Sequence, residues 1–280
     1  MFSDSTKTIY TGMLCVLIGI TVVLYLFTNY VAQQTSDVVD ESNSDEVTDN
    51  PVDAISFSNT QRWNESVYEL QNTEQAILPD VADKIELPPP PTNTSAETRG
   101  EIERLHHLAA LRREEDIDAI RAEVHLENTV FGPTPFSEII DPTHRTKTKD
   151  LLMSVLPEFL ATVVMFKEEF DRVRPSYLDP SLETVIDVPG HPAYPSGHAA
   201  ESLLIALILA DLDEANAEAY HASAYSIGKN REIAGVHYAS DSEAGRLLGE
   251  QFYTLLAETE WYQNALAEAA SEWGEETGTQ

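Results

Sequence analysis

The chain has 280 residues, a length that accommodates one domain of ordinary size together with a membrane anchor and a linker. Its 48 acidic and 17 basic residues give a formal net charge of -31, so nucleic acid and anionic lipid headgroups are not expected as partners. Cys15 is the single cysteine, which excludes an intramolecular disulfide and a cysteine-rich metal site.

An uncharged, apolar segment lies close to the N-terminus. It is about as long as a membrane-spanning helix must be, so we expect a short tail at 1–7 and a single-pass signal-anchor helix at 8–29. A cleaved signal peptide is the alternative, although the residues that follow make a poor cleavage site. Lys7 precedes the segment and only acidic charges follow it closely, so the positive-inside rule favours an extracytoplasmic location (periplasmic, lumenal or extracellular) for the remaining chain.

Residues 30–98 are rich in Asp, Glu, Ser, Thr, Asn and Pro, and they include four consecutive prolines at 88–91. This composition predicts an acidic, Pro-containing stalk or linker that is mostly disordered. A less polar stretch between Phe57 and Leu78 leaves docking on the following domain open as an alternative for that part of the segment.

From 99 to 280 the apolar residues recur with helical spacing, whereas alternating β-branched runs bounded by tight turns do not occur. The sequence therefore predicts an all-α domain, a helical bundle. The expected helical segments cover residues 102–124, where one apolar stripe continues throughout, and 151–170, 199–212, 215–229 and 242–261. Charged residues interrupt 151–170 and 199–212, which favours core helices of a bundle over membrane spans.

Lys167 and Arg174 form the first candidate cluster. They are seven residues apart on one predicted helix, nearly two turns, so both would project from the same face. Pro175 should end that helix. Two cations on one stripe suit an anion between them, and an ordinary solvated pair is the alternative.

Pro195 to His198 form the second cluster, directly before the helix predicted at 199–212. Ser196 is a natural N-cap, and Gly197 lets a ligand approach the backbone closely. The free N–H groups of a helix N-terminus attract phosphate, and His198 would be placed to exchange a proton with it. A plain capped helix start is the alternative.

Arg231, His237 and Asp241 form the third cluster. His237 and Asp241 are four residues apart, so on a helix the carboxylate could hold one imidazole nitrogen and leave the other as a nucleophile. Arg231 lies six residues before His237, on the wrong face of a continuous helix, and Gly235 offers the break that would bring both into one pocket. A surface His-Asp pair is the alternative.

Together the clusters supply the cations, imidazoles and helix N-terminus that a phosphate dianion needs for in-line attack. The segments KEEFDRVRP, PSGH and NREIAGVHYASD resemble the three-part signature of the type 2 phosphatidic-acid phosphatase and vanadium haloperoxidase superfamily. That signature is Lys-x6-Arg-Pro, Pro-Ser-Gly-His and Ser-Arg-x5-His-x3-Asp, and Asn230 here replaces its serine. The short catalytic region is most similar to the soluble bacterial class A acid-phosphatase branch.

The resemblance implies a metal-independent phosphomonoester hydrolase that works through a phosphohistidine intermediate and needs no cofactor. Carried over by position, His237 would attack phosphorus, Asp241 would orient His237, and His198 would protonate the leaving alcohol. The implied phosphate-binding residues are Lys167, Arg174, Ser196, Gly197 and Arg231.

Two alternatives remain at this point. The same pocket in a vanadium-dependent haloperoxidase would hold vanadate, with His237 as its ligand, and a non-catalytic membrane-tethered module would only bind an anion. The substrate is expected to be a small-molecule or lipid phosphomonoester, and a domain on a stalk favours the water-soluble kind.

Overall fold

The computed structural model describes residues 51–124 and 144–273, and within those ranges it contains ten α-helices and no strand. The helices are α1 (Phe57–Thr60), α2 (Glu65–Tyr68), α3 (Ala96–Ala110), α4 (Glu114–Ala122), α5 (Thr146–Phe170), α6 (Pro175–Leu178), α7 (Gly197–Leu212), α8 (Ala217–Ile233), α9 (Ala239–Ala257) and α10 (Glu260–Ala270). The all-α prediction is confirmed for this part of the chain. The tail at 1–7, the anchor at 8–29 and the first part of the stalk lie outside the described residues.

Helix α7 is the centre of the bundle. Its sequence is apolar on every face, and a helix of that kind is stable in water only when other elements surround it. Helices α8 and α9 make the most extensive contacts with α7, and α5 and α10 also contact it. Leu204, Ile205 and Leu209 are fully buried. Among the described residues, no helix combines the length and the apolar character needed to cross a bilayer.

The N-terminus of α7 lies unusually close to α9 because Gly245 has no side chain. A Cβ atom at Gly245 would lie 2.4 Å from the backbone oxygen of Ser196, which is a clash. The close approach lets the backbone N–H of Ser196 donate to the backbone oxygen of Asp241 at 2.9 Å. This packing therefore joins the second and third sequence clusters.

Two helix boundaries differ from the prediction. Helix α5 ends at Phe170 because Asp171 adopts a left-handed conformation (φ 44°), so Lys167 and Arg174 are not on one helix as expected. The helix predicted at 242–261 is two helices, α9 and α10, and Thr259 caps the second. The predicted break at Gly235 is confirmed, since this glycine has φ 79° and follows the end of α8.

Residues 51–98 do not form the disordered stalk that their composition predicts. They fall within the same compact unit as the rest of the described chain, and Phe57, Val81 and Ile85 are buried. The carboxylate of Glu158 accepts the backbone N–H groups of residues 76 to 78 at 2.9 to 3.2 Å. The few apolar residues of this segment pack against α5, and their burial offsets the conformational entropy that the segment loses on ordering. The domain boundary expected at residue 99 is therefore wrong.

Candidate active site

The residues of the three sequence clusters meet at one cavity of about 470 Å³. Four parts of the fold deliver them: the last turn of α5, the segment between α5 and α6, the N-terminus of α7, and the stretch from the last turn of α8 to the first turn of α9. Lys167, Gly197, His198, Arg231 and His237 line the cavity directly.

The imidazole of His237 is held by Asp241. Nδ1 of His237 lies 3.0 Å from Oδ2 of Asp241, and both side chains are buried. His237 precedes α9, and Asp241 lies in its first turn, so the expected pair forms without the continuous helix that was predicted for it. Oδ2 of Asp241 also accepts the backbone N–H of Tyr238 at 2.9 Å, which fixes the carboxylate to the start of α9.

The second ring nitrogen of His237 faces Arg174. Nη1 of Arg174 lies 3.0 Å from Nε2 of His237 and donates to the backbone oxygen of Val236 at 2.7 Å. A guanidinium can only donate, so Nε2 carries a lone pair and the proton resides on Nδ1, beside Asp241. Burial, followed by the charges of Arg174 and Lys167, holds the pKa of His237 well below its ordinary value. The imidazole is therefore neutral, and its Nε2 lone pair accepts from Arg174 while the cavity holds no ligand.

Lys167 is fully enclosed. Its ammonium donates to the backbone oxygens of Pro192 at 2.9 Å and Pro195 at 2.5 Å. Burial, then the charge of Arg174, lowers the pKa of Lys167 well below its usual range. Lys167 and Arg174 thus flank the same cavity although they come from different elements.

Arg231 keeps part of its guanidinium unpaired. Nη2 donates to Oε2 of Glu123 at 2.7 Å, whereas Nε and Nη1 are buried and find no acceptor among the residues that the structure describes. Buried unpaired donors cost free energy unless a ligand accepts from them. An oxyanion in the cavity would supply that acceptor.

Asn230, which departs from the family signature, has a visible role beside Arg231. Its amide donates to both carboxylate oxygens of Glu123, at 2.9 and 3.1 Å. Asn230 and Arg231 therefore share one buried carboxylate, and burial raises the pKa of Glu123. The substitution affects how Arg231 is positioned and leaves its unpaired donors free.

The N-terminus of α7 presents Ser196 and Gly197 as predicted. The hydroxyl of Ser196 caps the helix by accepting from the backbone N–H of Ala199 at 3.5 Å. A Cβ atom at Gly197 would lie 3.7 Å from Cγ1 of Val163 and 4.0 Å from Cε of Lys167, which is ordinary contact. Packing within the protein therefore does not require glycine at this position, and the space that a Cβ atom would fill is open to a ligand in the cavity.

His198 projects from the first turn of α7. Its Nε2 donates to the backbone oxygen of Glu123 at 2.8 Å, which leaves Nδ1 as the nitrogen able to exchange a proton. Burial, then the charge of Arg231, lowers the pKa of His198 to about 3. His198 is therefore neutral while the cavity holds no anion.

Four further side chains contribute to the site without having been predicted, three of them buried and one, His191, half-buried. Arg172 pairs with Asp241 and Glu101, Glu123 pairs with Arg231, and His191 lies 3.0 Å from Nη2 of Arg174 through its Nδ1. Arg172 lies inside the first motif and His191 lies shortly before the second, so their positions in the sequence were the available signal. Glu101 and Glu123 are distant in sequence from all three motifs, and a single sequence carries no signal that would place them at the site.

Comparison with known proteins identifies the family of the C-terminal part of the chain. Residues 150–265 match the PAP2 superfamily. The chain carries a PAP2 superfamily domain. The matched range contains all eight predicted site residues but not Glu101, Glu123 or the ordered segment at 51–98. The predicted membership of the superfamily is confirmed.

Two curated relatives of the PAP2 chain are non-specific acid phosphatases, from Salmonella typhi and Salmonella typhimurium. Each is 29% identical over 198 residues, which covers 66% of this chain and 78% of the relative. These matches agree with the predicted likeness to the acid-phosphatase branch.

Solved structures with the same fold include two peroxidases. A bacterial vanadium-dependent chloroperoxidase superimposes with a TM-score of 0.57 at 16% identity, covering 74% of this chain and 57% of that one. A bacterial vanadium-dependent iodoperoxidase superimposes with a TM-score of 0.53 at 15% identity, covering 72% of this chain and 61% of that one. This chain thus spans less than two thirds of either peroxidase, and at these identities the likeness concerns the fold alone.

Proposed function

We propose that this PAP2 protein is a phosphomonoester hydrolase that acts through a phosphohistidine intermediate on His237. The observation that carries the proposal is the buried, neutral imidazole of His237, fixed by Asp241 on one nitrogen and facing the cation-lined cavity with the other. The PAP2 domain and the acid-phosphatase relatives support phosphatase activity.

Phosphate binding is the first step of the proposed reaction. Lys167, Arg174 and Arg231, with the backbone N–H groups at the start of α7, neutralise the phosphoryl oxygens. Nε and Nη1 of Arg231 have no acceptor among the described residues, so they are ready to donate without first breaking a bond in the protein. Positioned cations of this kind supply most of the catalysis in phosphoryl transfer.

Two displacements then complete the cycle. Nε2 of His237 donates its lone pair to phosphorus while the ester P–O bond breaks, and the leaving alkoxide takes a proton from Nδ1 of His198. Water next attacks the phosphohistidine, giving its proton to Nδ1 of His198 while the N–P bond breaks. His237 and His198 return to their starting states, and the products are an alcohol and inorganic phosphate.

His198 must be protonated for the first displacement, although its pKa is low while the cations are unopposed. A phosphate dianion offsets the positive charge of the cations around it, and the pKa of a neighbouring imidazole rises in response. In this proposal the substrate itself charges the general acid.

No metal ion takes part in these steps, since fixed cations neutralise the phosphoryl oxygens. Vanadate matches phosphate in shape and charge, so the same cavity should bind it as an inhibitor. The fold shared with the peroxidases carries no argument for halide oxidation at the identities involved.

The proposal is tested with the full chain, its His237→Ala variant and p-nitrophenyl phosphate. We expect turnover that persists in excess chelator, stops in His237→Ala and is inhibited by vanadate. Phosphate or vanadate binding without turnover would point to the anion-binding module. Bromination after vanadate loading without phosphate release would point to the haloperoxidase.

We also propose that residues 8–29 anchor the protein in a membrane, with the catalytic domain on the extracytoplasmic side. The uncharged composition of that segment supports this. Cell fractionation should place the full chain in the membrane pellet and a variant lacking residues 1–34 in the supernatant. A full chain that stays in the supernatant would overturn the assignment.

A further inference from the structure

The cavity that receives the phosphate has a second, apolar part. Its aliphatic lining comes from the N-terminal segment (Val67 and Leu70), from α5 (Leu160 and Val164) and from the loop before α7 (Ile186 and Val188). Among the residues that the structure describes, Asp187 is the single acidic side chain in the lining of this cavity. Whatever is esterified to the phosphate must lie against these aliphatic side chains.

Helix α5 connects the apolar part with the phosphate-binding part. Leu160, Val164 and Lys167 follow one another at helical spacing on the face that lines the cavity. A phosphate held near Lys167 therefore directs its ester group along the aliphatic stripe of α5.

The segment that was expected to be a stalk packs beside α5 and completes the cavity wall. The backbone N–H of Asn64 donates to the backbone oxygen of Gly190 at 2.6 Å, and the hydroxyl of Tyr68 donates to Glu168 at 2.7 Å. A Cβ atom at Gly190 would lie 3.3 Å from Cβ of Asn64, so the two backbones are in close contact. These bonds fix Val67 and Leu70 at the cavity, outside the residues that match the PAP2 superfamily.

We infer that Val67 and Leu70 select phosphomonoesters whose alcohol carries a compact apolar group, such as an aromatic ring. The inference rests on the proposed function. A sugar or nucleoside in the same place would lose water from its hydroxyl groups and find few partners among aliphatic side chains, which lowers its transition-state binding. The cavity of about 470 Å³ suits a ring-sized group together with the phosphate.

The test compares kcat/KM of the full chain for phenyl phosphate, glycerol 3-phosphate and adenosine 5'-phosphate. We expect phenyl phosphate to be preferred by roughly 10-fold or more, through the apolar pocket and through the better leaving ability of phenolate, so the variants isolate the contribution of the pocket. Val67→Thr and Leu70→Asn keep the side-chain size and add polarity. Each should lower kcat/KM for phenyl phosphate several-fold and leave glycerol 3-phosphate nearly unchanged.

Leu111→Asn is the matched control, because Leu111 is exposed and does not line the cavity. Thermal melting shows whether a variant folds. If Leu70→Asn does not fold, Val67→Thr alone is sufficient for the test. Equal losses for all substrates, or no preference in the parent, would overturn the inference while leaving the phosphatase intact. If phosphatidic acid in detergent micelles turned over faster than phenyl phosphate, the inference that the alcohol carries a compact apolar group would be wrong. No turnover of any phosphomonoester would instead refute the proposed function.

Discussion

Nη1 of Arg172 lies 2.6 Å from Oδ1 of Asp241, and both side chains are buried. Nη2 of Arg172 pairs with Glu101 at 3.0 Å, and the backbone N–H of Ser240 donates to the same carboxyl group at 2.6 Å. A chain of charged contacts therefore runs from α3 through Arg172 and Asp241 to the imidazole of His237. Arg172 touches no reacting atom in the proposed mechanism, so we regard it as a positioning residue.

Arg172→Lys should lower kcat roughly 10- to 100-fold with a smaller change in KM, because a single ammonium cannot hold both carboxylates in the geometry of a guanidinium. Arg172→Gln should also cost about 3 kcal/mol or more of unfolding free energy, since it removes the cation that two buried carboxylates share. Kinetics and denaturant unfolding measure the two effects. Arg113→Lys, at an exposed ion pair, is the control. An Arg172→Lys enzyme with unchanged kcat would refute the positioning role.

Three glycine substitutions separate the ligand site from packing. Gly197→Ala should fold normally yet weaken phosphate binding, because the added Cβ meets only ordinary contacts with the protein and occupies the cavity. We expect KM and the inhibition constant of vanadate to rise by roughly 10-fold, the equivalent of one lost backbone hydrogen bond. Steady-state kinetics and thermal melting are the measurements.

Gly100→Ala and Gly245→Ala are the controls for Gly197→Ala. A Cβ at Gly100 meets nothing within 4 Å, so this change should stabilise α3 slightly and leave activity unchanged. A Cβ at Gly245 meets backbone at 2.4 Å, so that change should destabilise the fold. Unchanged vanadate inhibition in Gly197→Ala would show that the start of α7 does not contact the anion.

Stability should depend on pH through the buried imidazoles. The pKa of His198 falls from its ordinary 6.5 to about 3 in the folded protein, so between these values the unfolded chain binds the extra proton. Stability is thus complete above about pH 6.5 and is lost as the pH falls toward 3. Each pH unit by which a folded-state pKa is lowered corresponds to about 1.4 kcal/mol at the end of that range.

Melting temperatures between pH 7 and pH 4 test this dependence. His198→Gln should reduce the loss of stability, whereas His221→Gln, at an exposed position, should not. Sulfate, a dianion across this range, should restore part of the stability by raising the pKa of the imidazoles around the cavity. Identical pH dependence in His198→Gln and the parent would contradict the assignment.

Ionic strength should change the encounter with substrate. The net charge of -31 repels an anionic phosphomonoester, and moderate salt screens that repulsion. We expect kcat/KM to rise between low and moderate ionic strength while kcat stays nearly constant. Stopped-time assays in sodium chloride measure this, and a steady fall in kcat/KM with added salt would mean that the local cations dominate the encounter.

The sequence predicted the chemistry of the site better than its geometry. All eight predicted residues lie at or beside one cavity because their motifs end at helix termini that the bundle brings together. The prediction that Lys167 and Arg174 lie on one helix was wrong, because α5 ends early at Asp171, which is left-handed. Nothing about an aspartate at this position requires a left-handed conformation. Arg172 was missed because a cation inside a motif looks like any other solvated charge until its burial is known.

The ordered structure of residues 51–98 could not be predicted from the sequence either. Its average composition is that of a disordered linker, and a few apolar residues such as Phe57 and Val81 decide its docking. The acceptor that fixes it, Glu158, lies about 80 residues away on α5, where it was read only as a charge that interrupts an apolar helix. Long-range pairs of this kind leave no local pattern.

The most direct test of the central claim is to trap the phosphoenzyme. The full chain is mixed with p-nitrophenyl phosphate, quenched in alkali within milliseconds, digested and analysed by mass spectrometry. We predict phosphate on His237, lost in His237→Ala. It should accumulate in His198→Gln, because p-nitrophenolate leaves without needing a proton from His198 whereas water is no longer activated. Steady turnover with no phosphate on His237 at any quench time would contradict the mechanism.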